Sequence, residues 1–197
     1  MNKRFDYRSS IAFDYLRKTF ADVDDVAVAC VYFNHKEHIT PTEIVGNLLK
    51  QLLERNTSLS KEVQEVHDRH CQRETRPTFS ELSGLLRLEA RRISSFFIVV
   101  DALDECSGGE DSAAGILREL ESISTSRLMI TGRPHVANIM SRFGAFTRLE
   151  IRAADEDIGK YLETEINKSI FLSECVQNDE ALRSSIPNAI VKHAQGM

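Results

Sequence analysis

The sequence predicts an α/β fold in which a mostly parallel sheet lies between helices on both of its faces. Two continuous apolar segments, Val26–Phe33 and Phe96–Val100, have the composition of strands that are buried on both sides. Segments with helical periodicity separate them, and alternation of strand and helix along a chain is typical of parallel sheets. A three-layer arrangement with helices on both faces is therefore the predicted fold class.

Length and composition place the chain among ordinary globular proteins. Its 197 residues are enough for one well-buried core, and 42% hydrophobic with 28% charged residues argue against a disordered chain. The net charge of -5 provides no basic surface for nucleic acid. The longest apolar run, Val26–Phe33, is far shorter than the roughly 20 residues that cross a membrane. We therefore predict neither nucleic acid nor a membrane as a partner.

The cysteines predict no disulfide framework. Cys30, Cys71, Cys106 and Cys175 are widely spaced and match no metal-binding pattern. The first residues contain no apolar segment of the kind found in secretory leaders. We therefore expect reduced thiols in a cytoplasmic protein.

The first predicted helix follows Ser9, which is a candidate N-cap. Its apolar face is formed by four residues at helical spacing: Ile11, Tyr15, Leu16 and Phe20. A polar turn and the strand Val26–Phe33 come next. A helix of about three turns is therefore expected before the first strand.

Three further helices are predicted between the two apolar segments. The clearest begins at Thr40, because Pro41 suits the first helical position and Glu43 completes a capping box. A weaker pattern over residues 60–73 indicates a surface helix, and another helix follows Pro77.

The second half of the chain continues the alternation. A loop at 107–112 leads to a helix around Ile116 and Leu117. The later predicted elements are a strand over 127–134, a short helix over 136–143, a strand over 147–151, and helices over 155–167 and 184–194. We treat residues 1–197 as one domain with a helical extension from about 155 to 197.

Three acids follow directly on the second apolar segment. Asp101, Asp104 and Glu105 stand where the strand from Phe96 ends. Ligands of open α/β sheets bind at the carboxyl ends of the strands, and carboxylates there suit a hydrated cation such as Mg²⁺ with its phosphate ligand. His35 and His38 form another candidate metal pair, yet nothing near them in sequence supplies further ligands. The acids are therefore the predicted site.

These motifs resemble those of NACHT-type STAND P-loop NTPases, and in particular of fungal proteins that carry a nephrocystin-like N-terminal NTPase domain. The resemblance extends over nearly the whole chain. The segments that carry it are Val31–Asn34, Thr40–Glu43, Leu48–Leu53, Phe97–Glu105, which is similar to a Walker B element, and Arg127–Pro134.

The resemblance implies a role for each residue of the site. Asp101 would hold the Mg²⁺ that bridges the nucleotide phosphates, while Asp104 and Glu105 would orient or deprotonate the attacking water. Arg133 matches a sensor position that detects the γ-phosphate, and Thr131 would add a hydroxyl. The implied cofactors are Mg²⁺ and ATP or GTP. Ala102 stands where many relatives carry glycine, which is a small steric departure.

One part of the resembling family is missing from this sequence. The family's Gly-rich phosphate loop is expected just before Ser9, but residues 1–8 contain no glycine. We therefore expect weak or absent nucleotide binding, and an upstream strand that the chain as given lacks. That strand would lie between the strand near Leu128–Thr131 and the strand near Arg148–Ile151.

The predicted function is a nucleotide-dependent signalling switch, present as an incomplete or degenerate copy. Its partners would be a nucleotide in the complete domain, and other protein domains or a second copy of the chain. The alternative is a catalytically silent interaction module that retains the fold. An aspartate phosphatase of the haloacid type fits poorly, because it needs Asp-x-Asp whereas Asp101 and Asp104 form Asp-x-x-Asp.

Overall fold

The structure is a computed structural model, and it describes residues 7–54, 59–133, 141, 146–151, 154–177 and 179–194. The chain divides into two compact units, Met1–Phe146 and Thr147–Met197. The first unit contains the sheet, and the regular elements in the described part of the second are helices.

The first unit alternates helices and strands, as predicted. In chain order its elements are α1 (Tyr7–Thr19), β1 (Val26–Tyr32), α2 (Pro41–Leu53), α3 (Lys61–Arg73), α4 (Phe79–Ala90), β2 (Ser95–Asp101), a 3₁₀ turn (Leu103–Glu105), α5 (Gly109–Glu121) and β3 (Ser126–Ile130).

The three strands form a parallel sheet in the order β1-β2-β3, which confirms the predicted α/β class. Val28 pairs with Phe97, and Ile98 pairs with Leu128. In this register the end of β1 at Tyr32 lies beside Asp101. The segments that follow the three strands therefore leave the sheet at the same edge.

Helices cover both faces of this sheet. On one face, Phe96, Ile98 and Val100 join a buried cluster with side chains of α2, α4 and α5. Successive residues of a strand point to opposite faces. Phe97 accordingly lies on the other face, where its ring stacks on that of Phe20, just beyond the end of α1, with 5.1 Å between the ring centroids.

Local sequence signals fix the starts of α2, α3 and α4. Thr40 and Glu43 form the predicted capping box of α2, with Pro41 in its first turn. Ser60 caps α3 through the backbone N–H of Val63. α4 begins at Phe79 with a second capping box that starts from Thr78. Side chains that satisfy the free N–H groups of a first turn add about 1 kcal/mol each, so these boundaries are well determined.

The predicted register of α1 is wrong. The helix begins at Tyr7, so Ser9 lies inside it and is not its N-cap. Ile11 and Tyr15, predicted to face inward, are 52% and 66% exposed. The buried hydroxyl of Ser9 bonds the carboxylate at the end of β2. This contact between polar groups sets the register of α1, and hydrophobic periodicity cannot detect such a contact.

Residues 147–151 do not form the predicted last strand. They have no regular secondary structure, and Leu149 is 80% exposed. A short alternating pattern forms a strand only where a neighbouring strand pairs with it, and here the described residues provide none. The helix predicted over 136–143 lies outside the described residues, apart from Ser141 in a turn.

The second unit contains α6 (Asp155–Lys168), α7 (Ile170–Gln177) and α8 (Glu180–Ala194). The sequence predicted α6 and α8, although α8 begins four residues before the predicted start, and it did not predict α7. In α6, Ile166 is buried, whereas Tyr161 is exposed. In the described part of the chain, every helix is too short or too polar to cross a membrane.

Glu81 joins the second capping box to α3. Its carboxylate accepts hydrogen bonds from the backbone N–H and hydroxyl of Thr78, at 2.8 and 2.9 Å. It also accepts one from Arg69 at 2.5 Å and lies 3.3 Å from the His70 ring. The Thr78 N–H, more than any other group, lowers the pKa of Glu81 to about 2.

This lowered pKa predicts the pH dependence of Glu81→Gln. The wild type should be more stable than the variant at neutral pH, because the ionised carboxylate is stabilised in the folded state. The difference should be full above pH about 4.5 and should disappear as the pH falls towards about 2. Urea denaturation of both proteins between pH 2 and 6 measures it.

Glu43→Gln is the matched control, because Glu43 completes the capping box of α2 and its hydrogen bonds in the described structure are with Thr40 rather than with α3. Its pKa is also lowered, chiefly by the Thr40 N–H, so its effect should fade in acid as well. A Glu81 effect that grows on acidification would contradict the assignment.

Candidate functional site

Backbone hydrogen bonds tie together the segments that follow the three strands. The N–H of Phe33, just after β1, donates to the carbonyl of Asp101 at 3.0 Å. The N–H of Leu103 donates to the carbonyl of Thr131, just after β3, also at 3.0 Å. This edge holds the predicted acids in a fixed backbone frame.

Asp101 is 1% exposed at the end of β2. Its Oδ1 accepts hydrogen bonds from the Ser9 hydroxyl of α1 and from the Thr131 hydroxyl, the latter at 2.5 Å. The Thr131 oxygen in turn accepts from the N–H of Ala102 at 3.1 Å. The predicted metal ligand therefore lies between hydroxyls from two other segments of the chain.

Sequence reasoning missed Ser9 as a site residue. The signal was a polar residue on the sheet-facing side of α1, which continues at helical spacing through Phe13, Leu16 and Phe20. A pattern search that scores only apolar residues passes over a serine in such a position.

A left-handed residue places the other two acids. Ala102 has φ 54° and ψ 49°, and the 3₁₀ turn Leu103–Glu105 follows it. Residues with a Cβ rarely adopt this conformation, which is about 1–2 kcal/mol less favourable than the right-handed one. The turn carries Asp104 and Glu105 past the end of the strand. The resemblance had placed a glycine at this position in many relatives, and the positive φ gives the physical reason.

Asp104 contacts Arg133, the predicted sensor. Its Oδ1 accepts from the backbone N–H of Arg133 at 3.2 Å, and its Oδ2 lies 3.4 Å from Arg133 Nε. The Asp104 side chain is 8% exposed, whereas that of Arg133 is 75% exposed. The guanidinium therefore faces solvent, where it can reach an anion.

Glu105 contacts His35, in the loop after β1. Glu105 Oε2 lies 3.1 Å from the backbone N of His35, which donates to it, and 3.3 Å from the ring Nδ1. The backbone N–H of His35 is the main group that lowers the pKa of Glu105. The His35 ring and Arg133 lower it as well, whereas partial burial raises it. Sequence reasoning considered His35 only as a possible metal ligand and did not connect it with Glu105.

The oxygen donors at this edge are of the kind that Mg²⁺ prefers. Asp101 supplies a carboxylate, and Ser9 and Thr131 supply hydroxyls beside it. No group of three or more His, Cys, Asp or Glu side chains within the described ranges is arranged to hold a metal by itself. Mg²⁺ commonly uses only one or two carboxylates together with water and substrate phosphates, so the residues fit that cation with a phosphate ligand.

Thiol chemistry is not favoured at this edge. Burial raises the pKa of Cys30, in the middle of β1, to about 11. Burial also raises the pKa of Cys106, which follows the acids. Both thiols therefore stay protonated at neutral pH, and a thiol is a poor nucleophile.

A protein-family model described as Nephrocystin 3, N-terminal, matches residues 7–133, which is well over half of the chain. The chain belongs to this family. The match begins at α1 and ends at Arg133, so it includes Asp101, Asp104, Glu105 and Thr131 as well. No curated protein and no solved structure matches the chain.

The left-handed conformation of Ala102 predicts that Ala102→Gly stabilises the nephrocystin 3 N-terminal unit. Glycine adopts φ 54° without steric cost, which outweighs its larger loss of chain entropy. The free energy of unfolding should rise by about 0.5–1 kcal/mol. Ala12→Gly, inside α1, is the control and should lower it by a similar amount. Loss of stability in both variants would contradict the strain assigned to Ala102.

Proposed function

We propose that this chain is a nucleotide-dependent signalling switch domain of the NACHT-type STAND P-loop class, of the kind found in fungal proteins. One observation carries the proposal. Asp101, Asp104, Glu105 and Arg133 follow two adjacent parallel strands and lie at the sheet edge where α/β folds bind ligands. Membership of the nephrocystin 3 N-terminal family agrees with it.

The resemblance implies a role for each residue, and the surroundings of the side chains are compatible with these roles. Asp101 would hold Mg²⁺, usually through water, with the Ser9 and Thr131 hydroxyls beside it. When bound, Mg²⁺ neutralises charge on the phosphate oxygens. Arg133, largely exposed and anchored through Asp104, would reach the γ-phosphate of ATP or GTP.

Glu105 is better suited to orienting the attacking water than to deprotonating it. Its lowered pKa means that the carboxylate stays ionised at neutral pH but is a weak base. Phosphoryl transfer requires mainly positioning and charge stabilisation from the protein, so a weak base is sufficient. Asp104, which the backbone N–H and side chain of Arg133 hold in place, would orient the attacking water together with Glu105.

Nucleotide affinity is expected to be low. The sheet edge carries three carboxylates, and residues 1–8 contain neither glycine nor a Gly-Lys-Ser/Thr sequence for a phosphate loop. Without backbone N–H groups and a lysine near the β- and γ-phosphates, the acids repel the nucleotide.

The second candidate function is a catalytically silent interaction module. It is favoured by the fact that each acid already has a partner within the protein: Ser9 and Thr131 for Asp101, Arg133 for Asp104, and His35 for Glu105. Such a site is stable without ligand. The partners would then be other protein domains or a second copy of the chain. The four free cysteines agree with a reducing compartment, and we propose the cytoplasm.

The binding prediction separates the two candidates. Calorimetry with Mg·ATP and Mg·GTP should give dissociation constants no tighter than about 1 mM, which corresponds to about -4 kcal/mol. Asp101→Asn preserves the shape of the side chain and should remove any residual Mg²⁺-dependent binding. A micromolar affinity that this variant abolishes would show that the edge binds nucleotide well without a phosphate loop. Equally weak binding heats for the wild type and for Asp101→Asn would support the silent interaction module.

The hydrolysis prediction tests the assigned roles. If turnover is measured, Glu105→Gln and Asp104→Asn should lower kcat by about tenfold or more, and by more than Arg133→Ala does, because the acids position the water. Asp101→Asn serves as the blank for contaminating activity. Equal activity in the three variants would contradict the roles.

A further inference from the structure

In the described part of the chain, the carboxylate of Glu105 is held through one of its two oxygens. Both contacts from His35, the backbone N–H and ring Nδ1, reach Oε2. Within the described part of the chain, Oε1 accepts no hydrogen bond. A carboxylate fixed in this way has one oxygen that orients it and another that remains available for an incoming donor such as water.

The loop after β1 is shaped to present His35 to Glu105. The carbonyl of Asn34 accepts from the N–H of Glu37 at 2.9 Å, and its side chain accepts from the N–H of Lys36 at 3.0 Å. His35 is therefore the second residue of a tight turn. The turn is anchored on one side by the hydrogen bond from Phe33 to Asp101 and leads on the other to the Thr40 cap of α2.

We propose that His35 is the positioning residue of Glu105, which it fixes through two donors so that Oε1 faces the place of the attacking water. His35 acts through Glu105 and does not itself contact the substrate. The loop 34–40 is thereby coupled to the acid-bearing segment, to which the Ser107 hydroxyl adds a second, longer contact with the Ile39 carbonyl at 3.4 Å. The catalytic part of this inference rests on the proposed function, whereas the positioning part does not.

The other charged groups near Glu105 do not duplicate this role. Arg133 lowers the pKa of Glu105 by its charge alone and is hydrogen-bonded to Asp104. Asp104 belongs to the same turn, carries the same charge as Glu105 and is directed to Arg133. Asp101 is occupied by two hydroxyls. His35 is the group that the described structure places in hydrogen-bonding contact with the Glu105 carboxylate.

Four variants of the full chain test the positioning. His35→Ala removes the ring and keeps the N–H, whereas His35→Pro removes both donors at a turn position that accepts proline. His35→Asn restores a donor at the position of Nδ1. His38→Ala is the matched control, because it removes the other histidine of the loop, which makes no contact with Glu105 in the described part of the chain.

The first readout is the titration of Glu105, followed by carbon NMR of carboxyl-labelled glutamate and assigned by the signal lost in Glu105→Gln. The pKa of Glu105 should rise in His35→Ala, which loses the ring. It should rise further in His35→Pro, because the backbone N–H of His35 is the group that lowers this pKa most. His35→Asn should return it towards the wild type, and His38→Ala should leave it unchanged. A Glu105 pKa that neither His35 variant moves, or that His38→Ala moves equally, would overturn the proposal.

The second readout is Mg·ATP and Mg·GTP turnover by the same proteins. His35→Ala should lower kcat by about tenfold to a hundredfold with KM unchanged, and His35→Asn should recover most of the loss. Unchanged kcat in His35→Ala, together with a shifted Glu105 pKa, would refute the catalytic part. Absence of turnover in the wild type would count against the proposed function, and the titration would still decide whether His35 positions Glu105.

Discussion

The structure around the sheet edge depends on a buried carboxylate. Asp101 is almost inaccessible to solvent, and transferring an unpaired carboxylate to such a place is unfavourable by several kcal/mol. The hydroxyls of Ser9 and Thr131 compensate by donating to it, so α1, β2 and the end of β3 are joined at one oxygen atom. The position of α1 on the sheet follows from this contact as much as from its apolar side chains. Any role of Asp101 as a metal ligand has to coexist with these two donors.

The parallel register then determines which groups can meet. Because β1, β2 and β3 run in the same direction, the chain leaves all three at one edge, and backbone hydrogen bonds connect the three exits. Side chains far apart in sequence become neighbours there, such as His35 and Glu105, or Asp104 and Arg133. The left-handed Ala102 adds the sharp bend that takes the two outer acids away from the strand axis. The site is therefore a product of topology, with one strained residue at its centre.

Elements set by local chemistry could be predicted from the sequence, whereas contacts between distant segments could not. The capping box of Thr40 and Glu43 needs only neighbouring residues, and the β-branched and aromatic composition of the apolar runs in β1 and β2 favours buried strands. The register of α1 depended on a hydroxyl that reaches Asp101, 92 residues away. The alternating pattern at 147–151 indicated a strand, but the described residues offer it no partner. The acids themselves were found because they directly follow a strand.

The internal partners of the acids also explain why one set of residues supports two different functional proposals. A cation and its phosphate would have to compete with two hydroxyls for Asp101 and with a carboxylate for the guanidinium of Arg133. Each internal contact is worth about 1 kcal/mol net, so the competition is lost unless the phosphates gain their own donors. In P-loop proteins those donors are the backbone N–H groups and lysine of the phosphate loop. Under the proposed switch function, such donors would let the acids exchange partners when nucleotide binds. Where they are lacking, these contacts would favour the silent interaction module, because each acid keeps its partner within the protein.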